Sequence, residues 1–121
     1  MAKNMEISLL FDFYGDILTE KQRNMIDYYY NDDLSLAEIA ENEGITRQGV
    51  RDSIKRAESQ LLEMEERLGL ARRFYEMKNG FESIRVAARD IQEYNKRSGF
   101  SHDIDERASR ILEVSRRLCE I

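Results

Sequence analysis

The apolar positions in the first half of the chain recur at the three- and four-residue spacing of helices that pack on one side. Two start signals support this pattern. Thr19 with Gln22, and Ser35 with Glu38, fit the reciprocal cap in which a hydroxyl and a side chain three residues later satisfy exposed helix amides. The pattern therefore predicts helices over residues 4–14, 20–30, 36–43 and 47–68, with Gly15 capping the end of the first and a turn at 31–33.

The helix predicted from residue 47 is long and has a regular apolar seam. Its members, at intervals of four, three, four, three and four residues, are Val50, Ile54, Ala57, Leu61, Met64 and Leu68. This spacing is typical of a coiled coil and also of a helix laid on a neighbouring helix. Either arrangement buries the seam.

The seam resumes after Gly69, where either one helix or two stacked helices can carry it. Its members in this second half are Leu70, Phe74, Met77, Phe81, Ile84, Ala88 and Ile91. The breaker pair Asn79-Gly80 interrupts it while the spacing persists, so one weakened helix and two stacked helices are both open. Gly99 ends this segment, and Ser101 can cap a last helix with an apolar side at Ile104, Ala108, Ile111 and Leu118. The short connection predicts that the last helix turns back antiparallel.

These elements predict an all-α protein of two parts. Residues 1–69 form a helix-turn-helix domain with an N-terminal helix and a long second helix, and residues 70–121 form a helical extension, an antiparallel hairpin. We expect the extension to pack on the first part or to dimerise. The seams at 50–68 and 70–91 favour a homodimer.

The turn around Gly44-Ile45-Thr46 has the strongest functional signal. It separates a short helix from one whose exposed side carries polar and basic residues, as in a helix-turn-helix that presents side chains to a nucleic-acid groove. The candidate binding residues are Arg47, Gln48, Arg51, Lys55 and Arg56. Arginine and glutamine suit paired contacts with base edges, and lysine suits phosphate. A three-helix module for protein contact, with solvated charges, explains the same residues.

Three further features have structural explanations beside functional ones. Gly49 lies inside a predicted helix, where it either admits a phosphate or is tolerated. The run Tyr28-Tyr29-Tyr30 could stack on bases, but a core position for one ring and surface positions for two are favoured. The stripe formed by Lys78, Arg85, Arg89 and Lys96 could contact RNA, but charges flanking a helical seam look the same.

Composition narrows the class of protein. The chain has 121 residues, 36% of them charged, no proline and a formal net charge of −5, which argues against a general polyanion binder. From Arg47 to Arg56, however, four cations oppose Asp52 alone, a local charge of +3. No membrane span or secretory signal is visible, and Cys119 is the only cysteine, so we expect a cytoplasmic protein without membrane insertion or an intramolecular disulfide.

Catalysis has little support in the sequence. His102 is the only histidine, and its distance along the chain from Cys119 matches neither a metal-ligand pattern nor a nucleophile pattern. No glycine-rich phosphate loop of the P-loop type is present. We therefore expect a non-enzymatic protein with no catalytic residues, no metal site and no cofactor.

The stretch LTEKQRNMIDYYYNDDLSLAEIAENEGITRQGVRDSIKRAE resembles region four of bacterial sigma factors, which reads the promoter −35 element. Together with LLFDFYGDILTEKQ before it and LEMEERLGL after it, this stretch is similar to the small bacterial YlxM family over about residues 5–70. Gly49 departs from the alanine more usual in that family, and residues 71–121 carry no matching motif.

The resemblance implies an all-helical, cytoplasmic, non-enzymatic protein with a sigma-like helix-turn-helix at its centre. It also implies a regulatory or accessory role in the signal recognition particle pathway, with the candidate residues touching the particle's small RNA, its GTPase or its receptor. The alternative hypothesis is a transcriptional regulator that binds duplex DNA selectively.

Overall fold

The computed structural model describes residues 1–120, which contain helices and no strand. The six α-helices are α1 (Met5–Tyr14), α2 (Glu20–Ile26), α3 (Leu36–Glu43), α4 (Arg47–Leu68), α5 (Leu70–Arg97) and α6 (His102–Cys119). A 3₁₀ turn follows α1 and a π-helical turn follows α2. The all-α class is confirmed, and the chain divides into two compact units between Ala71 and Arg72.

The capping signals of the sequence operate as expected. Both predicted capping boxes are complete, at Thr19 with Gln22 and at Ser35 with Glu38. The second helix differs from its prediction because its α-helical hydrogen bonds end at Ile26. Beyond that point the Asp27 carbonyl accepts the N–H of Asp32, five residues later, at 3.0 Å. This wider spacing makes residues 27–31 a π-helical turn.

The core of the first unit is formed by α1 to α4. Its fully buried large side chains are Ile7, Met25, Ile26, Ile39, Val50, Ile54 and Leu61. The α4 seam supplies Val50, Ile54, Ala57 and Leu61 to this core, so α4 is laid on helices of its own chain. The expectation that residues 50–68 form a dimer seam is therefore wrong for these four positions, because their surface is already buried.

A buried polar contact ties α1 to the connection between α4 and α5. The Tyr14 hydroxyl donates to Glu65 Oε1 at 2.7 Å and accepts the Leu70 N–H at 3.1 Å. The same Glu65 oxygen accepts the N–H of Ala71 at 3.1 Å, so the carboxylate caps the start of α5. Burial is the main cause that raises the pKa of Tyr14, with the Glu65 hydrogen bond next.

The second unit is a helical hairpin. α5 runs through Asn79-Gly80 without a break, which decides between the two arrangements that the sequence left open. Gly99 adopts φ +77°, and Ser101 caps α6 through the Ile104 N–H. The Asn95 side chain exchanges hydrogen bonds with the backbone of Ser101 at 2.8 and 2.9 Å. Because Gln92 bonds Ser109 further along α6, the two helices run antiparallel.

Candidate nucleic-acid interface

The turn between α3 and α4 fixes the direction in which α4 leaves the core. Gly44 adopts the left-handed conformation, with φ +68° and ψ +32°, which side chains with a Cβ rarely adopt. The N–H of Ile45 returns to the Ala40 carbonyl at 3.1 Å, which closes the end of α3. The Thr46 hydroxyl then accepts the Gly49 N–H at 2.9 Å and begins α4.

The five candidate binding residues all lie on the exposed side of the first three turns of α4. The exposed side chains are Arg47, Gln48, Arg51, Lys55 and Arg56. Among residues 1–120, none of the four cations in this set forms an ion pair within 4.0 Å. Gln48 donates to Asp52 at 3.0 Å. Four positive charges are therefore available to an anionic partner without breaking an internal ion pair.

The end of α4 provides a contrast. There Arg67 pairs with Glu63 at 3.0 Å, one turn earlier on the same helix. The acidic side chains beyond Ser59 would repel a phosphate backbone, as the sequence suggests. The basic surface of α4 is thus confined to the turns nearest to Thr46.

Gly49 has a local structural explanation. A Cβ built at this position would lie 3.2 Å from Thr46 Oγ1 and 3.7 Å from Ile45 Cδ1. The first distance is tighter than ordinary van der Waals contact, so alanine would press on the hydroxyl that caps α4. Glycine here leaves room for the chain's own capping side chain, which supports the structural explanation over close approach of a phosphate.

A groove of about 440 Å³ borders the basic side of α4 and contains residues that the sequence did not single out. Asp52, Ser53 and Arg56 line it from α4, and the exposed Lys21 lines it from the first turn of α2. Lys21 lies 35 positions before Arg56, so no spacing rule in the sequence connects the two. Only the packing of α2 against α4 brings a second helix to this surface.

Glu58 marks the boundary of the basic surface. Burial is the main cause that raises the pKa of this half-buried carboxyl, while Lys55 and a hydrogen bond from Tyr30 act in the opposite direction. Glu58 Oε1 is buried and has no hydrogen-bond partner among residues 1–120. The carboxyl is thus incompletely satisfied one turn after Lys55.

The other sequence candidates have structural contacts of their own. Tyr29 is buried and donates to the Met1 carbonyl at 2.9 Å, while Tyr28 and Tyr30 pack partly buried against the core. This arrangement agrees with the structural interpretation of the tyrosine run. In the second unit, Arg85 is half-buried and pairs with Glu82 at 3.3 Å, as a charge beside a helical seam would.

The only histidine and the only cysteine of the sequence both lie on α6. His102 is the exposed first residue of α6, and Cys119 is half-buried at the end of the same helix. Within the described 120 residues, no group of three or more histidine, cysteine, aspartate or glutamate side chains has the geometry of a metal site. In the same part of the chain, no helix combines the length and the apolar character needed to cross a bilayer.

The first unit is a helix-turn-helix: α3, a left-handed glycine turn, and a longer α4 with exposed basic residues at its start. The family described as "Putative helix-turn-helix protein, YlxM / p13 like" matches residues 1–100. The chain belongs to this family, which confirms the resemblance to the YlxM family.

Named relatives agree with this assignment. The chain is 43% identical over 109 residues to a UPF0122 protein of Thermoanaerobacter sp. (strain X514), covering 90% of this chain and 93% of that protein. It is 43% identical over 96 residues to a UPF0122 protein of Bacillus velezensis, and the match covers 79% of this chain and 87% of that protein. A UPF0122 protein of Desulforamulus reducens is 55% identical over 74 residues, 61% of this chain and 63% of that protein.

Proposed function

We propose that this protein is a non-enzymatic cytoplasmic factor that binds nucleic acid through the first three turns of α4. The observation that supports it most is that four exposed cations at the start of a helix-turn-helix second helix form no ion pair within 4.0 Å among residues 1–120. Arg47, Gln48 and Arg51 supply donors suited to base edges, and Lys55 and Arg56 suit phosphate oxygens.

The local charge explains how an acidic protein can bind a polyanion. The whole chain has a net charge of −5, so long-range attraction to nucleic acid is weak. Affinity then depends on a few short-range contacts at α4, and Lys21 in the neighbouring groove extends them onto α2. Such a surface favours a selective target over general binding to any nucleic acid.

The proposed target is the small RNA of the signal recognition particle, in an accessory or regulatory role toward that pathway. The choice of this target rests on the family resemblance. The alternative contact is an acidic protein face, on the GTPase of the particle or on its receptor. Purified protein should bind in vitro transcribed particle RNA more tightly than an unrelated RNA of equal length. If the protein binds none of these three partners, the RNA, the GTPase or the receptor, the proposal is contradicted.

Duplex DNA is the second candidate target, favoured by the helix-turn-helix geometry itself. A recognition helix of this kind fits the major groove and reads bases with residues near its N-terminus. This candidate predicts sequence-selective duplex binding that weakens steeply as salt rises. Undetectable duplex affinity even at low salt would exclude it.

The substitution Arg51→Glu tests the site for either target. It replaces an unpaired cation at the centre of the surface, so we expect at least about a tenfold loss of affinity and a salt dependence shallower by one to two ion equivalents. Binding is measured by fluorescence anisotropy across a salt series, and helix content by circular dichroism. Unchanged affinity in a folded Arg51→Glu protein would remove α4 from the proposal.

Lys78→Glu is the matched control. It makes the same change in net charge at an exposed position of α5. If binding depends on specific contacts at α4, this variant should lose less than about threefold, because Lys78 is not one of the proposed contact residues. An equal loss in both variants would indicate a general charge effect.

A further inference from the structure

The hairpin of the second unit has an exposed apolar face, which we call the open face. On α5 its large members Met77, Ile84 and Ile91 recur every seven residues, with Gly80, Ala87 and Tyr94 in the row beside them. On α6 the corresponding row is Ile104, Ile111 and Leu118, with Val114 and the exposed cation Arg107 beside it. Ile91 and Ile104 line one cavity near the turn, and Met77 and Leu118 line another at the far end, so both rows lie on the same side.

The inside of the hairpin does not compensate for this exposure. Within residues 72–120, the buried apolar side chains are two alanines, Ala88 and Ala108, and the buried polar ones are Asn95 and Ser115. Several large apolar groups are instead turned outward, with Ile84 and Ile91 each 47% exposed and Tyr94 70% exposed, while Phe81 and Leu112 are half-buried. A two-helix hairpin whose fully buried side chains are only small or polar gains little from its own packing.

The apolar area of the open face is large enough for a protein interface. Seven side chains between 39% and 70% exposed present on the order of 600 Å² of apolar surface, the upper limit for a patch on a monomer. Stable interfaces bury roughly 800 Å² per partner. The residues around the rim of the open face can supply the rest of this area. The alternation of large residues with Gly80 and Ala87 also gives a helix room to approach α5 closely.

We propose that a second copy of this chain covers the open face, so that two hairpins form a four-helix bundle. The internal register is set by Asn95 with Ser101 and by Gln92 with Asp105 and Ser109. A twofold axis parallel to the helices lays α5 of one protomer against α6 of its partner and keeps this register. Neighbouring helices are then antiparallel throughout, as in up-and-down bundles.

The charges that border the open face are complementary in this arrangement. Along α5 the border row contains Glu76, Asp90 and Arg97, each one position before or after a seven-residue repeat of the face. At matching levels along α6 of the partner, the border row supplies the partner's Arg117, the partner's Arg110 and the partner's Asp103. The two members of each pair have opposite charges. Their positions along the bundle axis differ by about one helical turn or less.

The open face and the proposed nucleic-acid surface consist of different residues. The residues of the open face belong to α5 and α6, whereas the proposed binding residues belong to α4. The dimer proposal therefore does not depend on the proposed function. It also replaces the sequence expectation, in which residues 50–68 shared the dimer seam, with an interface in the second unit alone.

Two substitutions on α5 with equal starting exposure test the proposal. Ile84 lies at the centre of the open face, Val86 lies on the opposite flank of the same helix, and both are 47% exposed. In the full-length protein, Ile84→Asp should weaken dimerisation at least about a hundredfold, because each dimer would bury two carboxylates. Val86→Asp should dimerise as the natural protein does.

Sedimentation equilibrium over a concentration series measures these constants, and circular dichroism measures helix content. A natural protein that stays monomeric at high concentration would overturn the proposal and leave the face to a different macromolecule. Retained dimerisation in Ile84→Asp, or equal loss in Val86→Asp, would also overturn it.

A charge exchange tests the orientation and remains informative if Ile84→Asp does not fold. Asp90→Arg and Arg110→Asp should each weaken the dimer roughly tenfold, because twofold symmetry makes every border pair occur twice. The double variant should regain affinity to within about threefold of the natural protein. Absence of this recovery would overturn the pairing of α5 with α6 of the partner.

Discussion

Single residues in this protein often serve the fold and the functional surface together. Thr46 caps α4 through the Gly49 N–H and thereby begins the helix that presents Arg47 and Arg51. Gly49 leaves room for that cap, since a Cβ there would lie 3.2 Å from the hydroxyl. The binding surface is therefore sensitive to residues that would never touch a ligand.

Glu58 supports a prediction at this scale. Its pKa is raised chiefly by burial, so the folded state binds a proton more tightly than the unfolded state does. The stabilising effect of the protonated form is present below the unfolded pKa and is lost as the pH rises through the folded pKa. Glu58→Gln should therefore be modestly more stable than the natural protein at neutral pH, and this difference should shrink in acid.

Urea denaturation at a series of pH values between neutral and about 4 measures this difference. Glu63→Gln is the control, because this exposed carboxyl lies on the same helix and pairs with Arg67. Its substitution removes a surface ion pair and should not stabilise the protein at neutral pH. A Glu58→Gln protein less stable than the natural one at neutral pH would contradict the prediction.

At the scale of elements, the α3–α4 connection is determined by backbone conformation more than by packing. Gly44 has φ +68°, and a Cβ built on it would meet nothing within 4 Å. Any loss of stability when Gly44 is replaced must therefore come from backbone strain and not from a steric clash. Gly44→Ala should lower the free energy of unfolding by about 1 kcal/mol, because side chains with a Cβ are strained in this conformation.

Gly44→Asn distinguishes conformational strain from other effects. Asparagine tolerates the left-handed region better than alanine does, so this variant should lose less stability than Gly44→Ala. Thermal and urea unfolding of the three proteins measure the order. Equal losses in both variants would show that the positive φ is not the cause.

At the scale of the whole molecule, apolar burial is divided very unevenly. The large buried side chains all lie before Ala71, whereas the described residues after it bury only alanines among their apolar side chains. The two units should therefore respond separately to a change in the core. Ile54→Ala, which opens a cavity among α1 to α4, should cost about 2–5 kcal/mol in the first unit.

Hydrogen exchange read by mass spectrometry locates this loss. Protection should fall in peptides of α1 to α4 and change little in peptides of α6. An equal fall in both units would show that the chain unfolds as one cooperative body. Leu62→Ala, at an exposed position of the same helix, is the control and should leave protection in both units nearly unchanged.

Local signals in the sequence were sufficient to predict most of the helices and several of their ends. The boundaries of α3 and α4 match the prediction because their signals are local: Ser35 with Glu38, Gly44 and Thr46 act on amides within four residues. The five candidate residues of α4 could be placed on one exposed side for the same reason, since helical periodicity depends only on spacing. The π-helical turn at 27–31 escaped prediction because no residue pattern there distinguishes it from an ordinary helix.

Which apolar rows are buried within one chain depends on contacts between helices. Val50 and Ile84 belong to seams with the same spacing, yet Val50 is fully buried within one chain while Ile84 is 47% exposed. The structure likewise placed Lys21 in the groove with Arg56. Spacing along one helix reports which side is apolar, but the element that covers that side is chosen by contacts between distant parts of the chain, which no local pattern records.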